Sequence, residues 1–398
     1  MSKESKAYKN LPKKVYIRTF GCQMNVRDAE AIKGSLLDAG FKVKYQQLDN
    51  IDAVLLVTCS VRQHAEDKVW SEIGRLASLK PKPLIVLVGC MAENYKEAAF
   101  KKAKGLDLII GPNNIGEIPG LLRRLFDRRE ATGSWWPAKG KQFPVVLVGK
   151  PRRDEAVYES RFREEKDHAY VIISEGCDNY CSYCVVPYVR GMLRNRNHED
   201  ILDEIKYNID KGIKHVTLLG QNVNAYCGQE ENFDFVELLE RINGLKGLKE
   251  LTFMTSHPKD ASVKLFEAMV RLDKVSRSLH LPVQSGSNKI LKLMNRGYTR
   301  QHYLYLCERY RKHMPGASLS TDIIIGFPTE TDKDFRETLD LVKRVKFNNA
   351  YIFKYSPRPR TAAEKLKDDV AQDVKEKRHQ ILLDTQKQIS RDIQNAQR

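Results

Sequence analysis

Short continuous apolar runs, each followed by a longer amphipathic stretch, recur along this chain and constrain its fold more than any other feature. Runs at 15–20, 41–45, 53–58, 84–89 and 108–110 read as strands, with helical stretches at 28–39 and from about 62 to 79, and another helix before 108. The runs at 53–58, 84–89 and 108–110 are almost wholly apolar, and a strand of that kind is covered on both faces, so the pattern belongs to a parallel sheet between two helix layers. Gly40 stands where the first helix stops, as a left-handed cap requires. The pattern predicts a doubly wound α/β domain over residues 14–127, preceded by a flexible basic segment, 1–13.

Residues 128–166 interrupt the alternation with Gly133, Pro137, Gly140, Pro144 and Pro151 and the pair Trp135–Trp136. This reads as a linker whose tryptophans anchor it on protein. The alternation resumes over 167–372, with strands expected at 169–174, 215–219, 250–255, 278–281, 319–325 and 350–355 and helices such as 199–211 and 332–346. Six βα units predict a partial (β/α)6 barrel. Residues 373–398 are charged and helix-prone, an extension with no β-rich module after it.

Lysine and arginine number 68 against 51 aspartates and glutamates, a net charge of +17. Such an excess favours a polyanionic partner, because neutralised phosphates release counterions. No apolar run approaches the roughly 18 residues of a membrane span, and the N-terminus lacks the apolar core of a secretory signal. The expectation is a monomeric, cytoplasmic protein whose partner is nucleic acid and not a membrane. Eight cysteines are too few for a disulfide scaffold of this length and read instead as metal ligands or catalytic groups.

Three of them, Cys177, Cys181 and Cys184, lie in one short loop directly after the first barrel strand. A compact loop can present three thiolates to three irons of a four-iron cube and leave the fourth iron open. A structural zinc site needs a closed fourth ligand, for which His168 and His198 are poorly placed. A second group is dispersed. Cys22, Cys59 and Cys90 each follow a strand of the N-terminal domain, and residues just past parallel strand ends gather along one sheet edge. They are expected to hold a second cube with an open iron. Cys227 and Cys307 have no matching partners and receive no role.

The cysteine loop, with Thr19–Phe20–Gly21–Cys22–Gln23–Met24–Asn25, Thr58–Cys59–Ser60–Val61–Arg62, Val88–Gly89–Cys90–Met91–Ala92, Gly220–Gln221–Asn222 and Thr255–Ser256–His257–Pro258, resembles the methylthiotransferase family of radical S-adenosylmethionine enzymes. The resemblance covers about residues 14–370. It implies two [4Fe–4S] clusters and S-adenosylmethionine, with all six cysteines catalytic. The cluster on Cys177, Cys181 and Cys184 would generate a 5′-deoxyadenosyl radical. The auxiliary cluster on Cys22, Cys59 and Cys90 would carry the sulfur placed on carbon 2 of N6-(dimethylallyl)adenosine beside the tRNA anticodon. Tyr183, Gln221, Asn222, Ser256, Gln284 and Asp322 are the cofactor-binding candidates, at or just past strand ends. Arg190, Arg194, Arg196, Arg358 and Arg360 are candidates for binding the anticodon loop, whose bases can be splayed out for recognition. A flavodoxin or ferredoxin would supply electrons.

The chain departs from the family pattern at Val57, Met192, Leu193, Asn195 and Arg360, and lacks the family's C-terminal RNA-binding β-barrel. Arg360 replaces a turn glycine and is strained wherever φ is positive. Alternative readings are a relative that modifies threonylcarbamoyl-adenosine or a ribosomal-protein aspartate, and a catalytically idle iron–sulfur RNA-binding protein. The Phe20–Asn25 segment weighs against the first, and Gln23–Met24–Asn25 with Arg358 against the second.

Overall fold

The computed structural model describes residues 13–44, 50–60, 63–135, 145–150, 152–153 and 155–396. Of the features read from the sequence, the segment 1–12, Tyr45, Val61, Arg62, Trp136, Pro137, Gly140, Pro144 and Pro151 lie outside the described residues. The chain forms two compact units. The first runs to Glu164 and includes Tyr188–Gly191; the second comprises Glu165–Pro187 and Met192–Arg398.

The first unit contains strands β1 (Lys14–Thr19), β2 (Lys42–Lys44), β3 (Ala53–Thr58), β4 (Leu84–Gly89), β5 (Leu108–Ile110) and β6 (Val145–Leu147). Its helices are α1 (Gln23–Asp38), α2 (Gln63–Ala77), α3 (Cys90–Tyr95), α4 (Ala98–Lys102) and α5 (Ile118–Thr132). The strands form one parallel sheet in the order β2-β1-β3-β4-β5-β6. Alternate side chains of the fully buried strand β3 enter different cores. Leu55 and Val57 pack with Ile32 and Leu36 of α1 and Leu122 and Phe126 of α5; Val54 and Leu56 pack with Val69 and Ile73 of α2. This is the expected doubly wound arrangement. Its strand order reverses between β1 and β3, the switch point at which such sheets bind ligands.

Two boundaries differ from the sequence reading. Helix α1 begins at Gln23 rather than near residue 28, because its N-terminal half is polar and carries no apolar period although it is buried. Part of the expected linker belongs to this unit: β6 extends the sheet, and residues 158–164 run along α1. Arg27 donates to the carbonyls of Ser160 (2.9 Å) and Tyr158 (3.4 Å), and Lys33 pairs with Glu164 at 2.5 Å. A Cβ on Gly34 would stand 2.5 Å from Ser160 Oγ, so only glycine lets the strap lie this close. Trp135 packs on Phe126 at 5.1 Å beneath Arg129, the protein anchor expected of it.

In the second unit, β7 (His168–Ile172) leads into a two-stranded ribbon, β8 (Ser174–Glu175) with β9 (Arg194–Asn195), around the short helix α6 (Val186–Arg190). There follow α7 (His198–Asp210), β10 (His215–Leu219), α8 (Phe235–Asn243), β11 (Glu250–Phe253), α9 (Val263–Arg271) and β12 (Ser278–His280). The unit continues with α10 (Asn288–Leu293), α11 (Arg300–His313), β13 (Ser318–Ile325), α12 (Asp332–Val345), β14 (Asn349–Lys354) and α13 (Gln372–Ala396). The six main strands are parallel in two ladders, β11-β10-β7 and β12-β13-β14. Irregular backbone joins them: Leu251 N–H donates to Lys274 and Ser276 N–H to Leu251. The result is the expected open (β/α)6 partial barrel.

Strand β13 shows why one face is left for a site. Leu319, Ile323 and Ile325 enter the apolar core under the helices, while Ser320 and Asp322 on the opposite face stay half-exposed. The helices start where the sequence supplies caps: Asn197, Asp234, Ser262, Ser287, Thr299 and Thr331 each accept a first-turn N–H. The charged extension becomes α13, which meets β14 through His379 and Ile352 O at 3.0 Å, sets Leu382 in the core, and donates from Gln386 to Phe347 O at 2.8 Å. Arg360 has φ +73°, so the strain foreseen for this turn is present. No described helix is long and apolar enough to cross a membrane.

Candidate functional site

The dispersed cysteines meet at one edge of the first unit's sheet. Cys22 follows β1 and is the N-cap of α1, Cys59 follows β3, and Cys90 opens α3 after β4. These are three adjacent strands. Because Thr58 is in register with Gly89, Cys59 and Cys90 leave the sheet side by side. No side chain caps α1 or α3, and at α1 the Asn25 N–H serves Cys22.

Two glycines make the convergence possible. Gly21 has φ +110°, and a Cβ there would stand 2.2 Å from Cys59 Cβ and 3.2 Å from its Sγ. Gly89 has φ +94°, and a Cβ there would press within 2.8 Å of Thr58 O. The backbones before Cys22 and Cys90 are thus laid directly against the Cys59 strand.

Beneath the thiols lies a buried charge network. Asp28 accepts from Arg153 and from Arg190, each at 2.7 Å, and all three are at most 3% exposed. Burial alone would raise the Asp28 pKa, but the two guanidiniums outweigh it and hold the carboxyl below its usual range. Arg190 also hydrogen-bonds Cys90, whose thiol is nevertheless pushed up by burial. Cys22 differs. A hydrogen bond from Cys59 lowers it most, Arg190 and the Asn25 N–H add to this, and its pKa falls from 9.0 to about 6 despite desolvation. A lowered pKa puts the thiolate, the reactive form, at lower pH. In the metal-free chain, Cys22 is therefore expected to react with iodoacetamide half-maximally near pH 6, while Cys184, at about 12, stays inert. Peptide mass spectrometry across pH 5–9 reads this directly, and a Cys22 profile still rising at pH 9 would contradict it.

The second trio occupies the loop between β8 and α6. Gly176 N–H donates to Gln221, Ser182 N–H to Met294 O, and Asn295 to the carbonyls of Asn179 and Tyr180, pinning the loop throughout. Tyr180 takes φ +44° so that Cys177 and Cys181 share one side of the turn. The thiols sense one another, and burial followed by the neighbouring Cys181 drives Cys184 to about 12. Donors surround them. Asn179 serves Cys177, the Val186 N–H serves Cys184, and Arg296 Nη1 lies 3.2 Å from Cys181 Sγ with His257 Nε2 at 3.9 Å. Burial, then Arg296 and Lys259, lower His257 to about 2, so the ring stays neutral.

Each trio supplies three thiols from strand ends or one tight loop, the donor type that an iron–sulfur cube takes; among the described residues no group of three or more His, Cys, Asp or Glu is arranged to hold a single metal ion. His168 and His198, the weak zinc candidates, are used otherwise: His168 bonds Thr217 at 2.9 Å, and His198 stacks on Phe233 at 4.3 Å. Buried oxygens without a protein partner mark both places: Asn25 Oδ1 and Ser60 Oγ in the first unit, and Ser174, Ser182, Asn222, Ser256 and Gln284 in the second. A buried unpaired acceptor costs about 1–3 kcal/mol, a cost that a bound group or an ordered water removes.

The softer candidates divide. Ser256 (4% exposed) and Gln284 (8%) keep unpaired oxygens, and Gln284 and the neighbouring Thr255 sit at φ +69° and +73°, backbone strain typical of ligand sites. Asn222 binds Asp260 at 2.6 Å but leaves Oδ1 unpaired. Asp322 faces His280 at 3.3 Å. Gln221 instead spends its oxygen on Gly176. Tyr183 packs on the small cluster around Met294 and Phe327, with its hydroxyl 3.3 Å from Arg296.

The arginines expected on RNA differ in their surroundings. Arg190 is buried on Asp28, Arg358 is only 7% exposed, and Arg196 binds Ile172 O and Glu204, each at 2.6 Å. Arg190 and Arg196 are thus engaged with protein partners. Arg194 is half-buried, 3.9 Å from Glu175, and Arg360 is exposed. Sequence reasoning missed Asp28, Arg153, His257 and Arg296. The one available signal was His257, which stands inside a motif already singled out.

Comparison with known proteins follows the two units. Residues 14–111 match the family described as Uncharacterized protein family UPF0004, and residues 171–342 match the Radical SAM superfamily. The tRNA-2-methylthio-N(6)-dimethylallyladenosine synthase of Moorella thermoacetica is 42% identical over 94% of this chain and 82% of its own length. That of Desulforamulus reducens is 43% identical over 98% and 83%. Among solved structures, the radical S-adenosylmethionine methyltransferase TsrM from Kitasatospora setae superposes with a TM-score of 0.57 at 15% identity, over 89% of this chain and 74% of its own. That likeness concerns the fold.

Proposed function

Because the chain belongs to the tRNA-2-methylthio-N(6)-dimethylallyladenosine synthase family of radical S-adenosylmethionine enzymes, we propose that its two cysteine trios are the ligands of the family's two [4Fe–4S] clusters. The chain is a tRNA methylthiotransferase, acting on N6-(dimethylallyl)adenosine next to the anticodon and forming its 2-methylthio derivative. When bound, the clusters and S-adenosylmethionine supply the radical, the sulfur and the methyl group.

The protein's own residues perform the holding and orienting. Cys177, Cys181 and Cys184 would hold one cube, and Cys22, Cys59 and Cys90 the other, each through three thiolates. Asn222, Ser256 and Gln284 offer unpaired buried oxygens to the polar groups of S-adenosylmethionine. Tyr183 offers its ring to the adenine, while its hydroxyl is fixed by Arg296. Arg194 and Arg360 remain as candidate contacts to tRNA phosphates. A flavodoxin- or ferredoxin-like protein delivers the electrons, and the tRNA substrate places the enzyme in the cytoplasm.

One observation carries this reading: Cys22, Cys59 and Cys90 leave three neighbouring parallel strands, with Cys59 and Cys90 following the in-register pair Thr58 and Gly89. Anaerobic reconstitution is expected to give about eight irons per chain, about four in Cys59→Ala, with S-adenosylmethionine cleavage surviving in that variant. Nucleoside analysis of tRNA from a deletion strain is expected to show N6-(dimethylallyl)adenosine accumulating without its methylthio derivative. Unchanged iron in Cys59→Ala, or unchanged tRNA in the deletion strain, would refute the assignment.

A further inference from the structure

We propose that Arg296 and His257 are positioning residues that fix the Cys181 thiolate and raise the reduction potential of the cluster it holds. The proposal rests on the cluster ligation by Cys177, Cys181 and Cys184 given above and deepens it.

Arg296 follows α10 and is 4% exposed. Its guanidinium is held on every side: Nε donates to Tyr298 OH at 3.0 Å, Nη2 to Pro282 O at 2.8 Å, and Nη1 to Tyr183 OH at 3.3 Å and Cys181 Sγ at 3.2 Å. These partners are phenols, a carbonyl and a sulfur. No carboxylate among the described residues lies within ion-pair distance of it, whereas the buried guanidiniums of Arg153, Arg190 and Arg378 each pair with an acid. A buried cation without a counter-charge costs several kcal/mol. The group that can supply the missing charge is the sulfur it faces, as a thiolate.

His257 reaches the same sulfur from another loop. Its Nδ1 accepts the Lys259 N–H at 3.1 Å, which places the proton of the neutral ring on Nε2, the nitrogen 3.9 Å from Cys181 Sγ. Cys181 therefore receives one cationic and one neutral donor, whereas the donors to Cys177 and Cys184 are uncharged. Reduction adds negative charge to a cluster, and a fixed cation or donor at a ligand sulfur stabilises the reduced state more than the oxidised one.

The test uses full-length protein in a Cys59→Ala background, so that only the barrel cluster is read. Arg296→Gln, Arg296→Lys and His257→Gln are reconstituted anaerobically, their iron counted, and their midpoint potentials measured by redox titration followed by electron paramagnetic resonance. Arg296→Gln is expected to keep about four irons and to make reduction about tenfold less favourable, about 59 mV for one electron. Arg296→Lys should lie between it and the parent, and His257→Gln should shift the same way by less. The midpoints of the variants that retain iron decide. An unchanged midpoint overturns the proposal, as does loss of iron in all three, which would make these residues anchors of the fold. A parent that fails to bind four irons would sink the ligand assignment instead.

Discussion

Replacing Asp28 by alanine is expected to cost about 3–5 kcal/mol, the loss measured when one member of a buried charge network is removed and its partners stay behind. Arg153 and Arg190 are 2% and 3% exposed, and both direct a nitrogen 2.7 Å from the Asp28 carboxylate. Without it, two like charges share a pocket closed to water, and the side chains must move or the segments carrying them must part. Arg190 touches Cys90 and helps to lower Cys22, so the disturbance reaches the thiols. Reconstituted Asp28→Ala is expected to hold about four irons rather than eight, the missing ones being those of the N-terminal trio. Asp28→Asn keeps the volume and one acceptor oxygen and should fall between. Denaturant titration with iron counting checks both effects, and a loss below about 1 kcal/mol with full iron would show that the carboxylate only fills space.

That network was not legible in the sequence, although the cysteines above it were. Each thiol follows an apolar run, and parallel strands deliver such positions to one edge whatever the loops do, so topology alone located Cys22, Cys59 and Cys90. A charge carries no such signature. Asp28 looks like an outward residue of an amphipathic helix, and its partner Arg153 lies within a stretch whose prolines and glycines read as linker. Arg190 shows the same blindness in reverse: beside Arg194 and Arg196 it resembles a phosphate-binding cluster, yet its charge is spent inside the protein. Strand β6 was missed because three residues after a proline-rich stretch carry too little periodicity, and only pairing with β5 makes them a strand. In the second unit, patterning and capping residues agreed with the fold, and the six strands were correspondingly plain. Arg296 was hidden because nothing local distinguishes an arginine buried on a sulfur from one in solvent.

Gly21→Ala is expected to empty the N-terminal cysteine site while leaving the barrel cluster intact. The added methyl would stand 2.2 Å from Cys59 Cβ, where no real pair of carbons can remain. Cys59 is poorly able to yield, because it leaves β3 between β1 and β4 and is 3% exposed. The Gly21 loop must therefore retreat and take Cys22 with it. Crowding of this kind costs about 1–3 kcal/mol, and an alanine held at positive φ adds about 1–2 kcal/mol. Gly40 separates the two terms: it also has positive φ, +83°, but nothing lies within 4 Å of its hypothetical Cβ. Gly40→Ala is thus expected to lose only the backbone part and to keep about eight irons, while Gly21→Ala loses both parts and drops to about four. Equal iron in the two variants would mean that the close approach of these backbones does not hold the trio together.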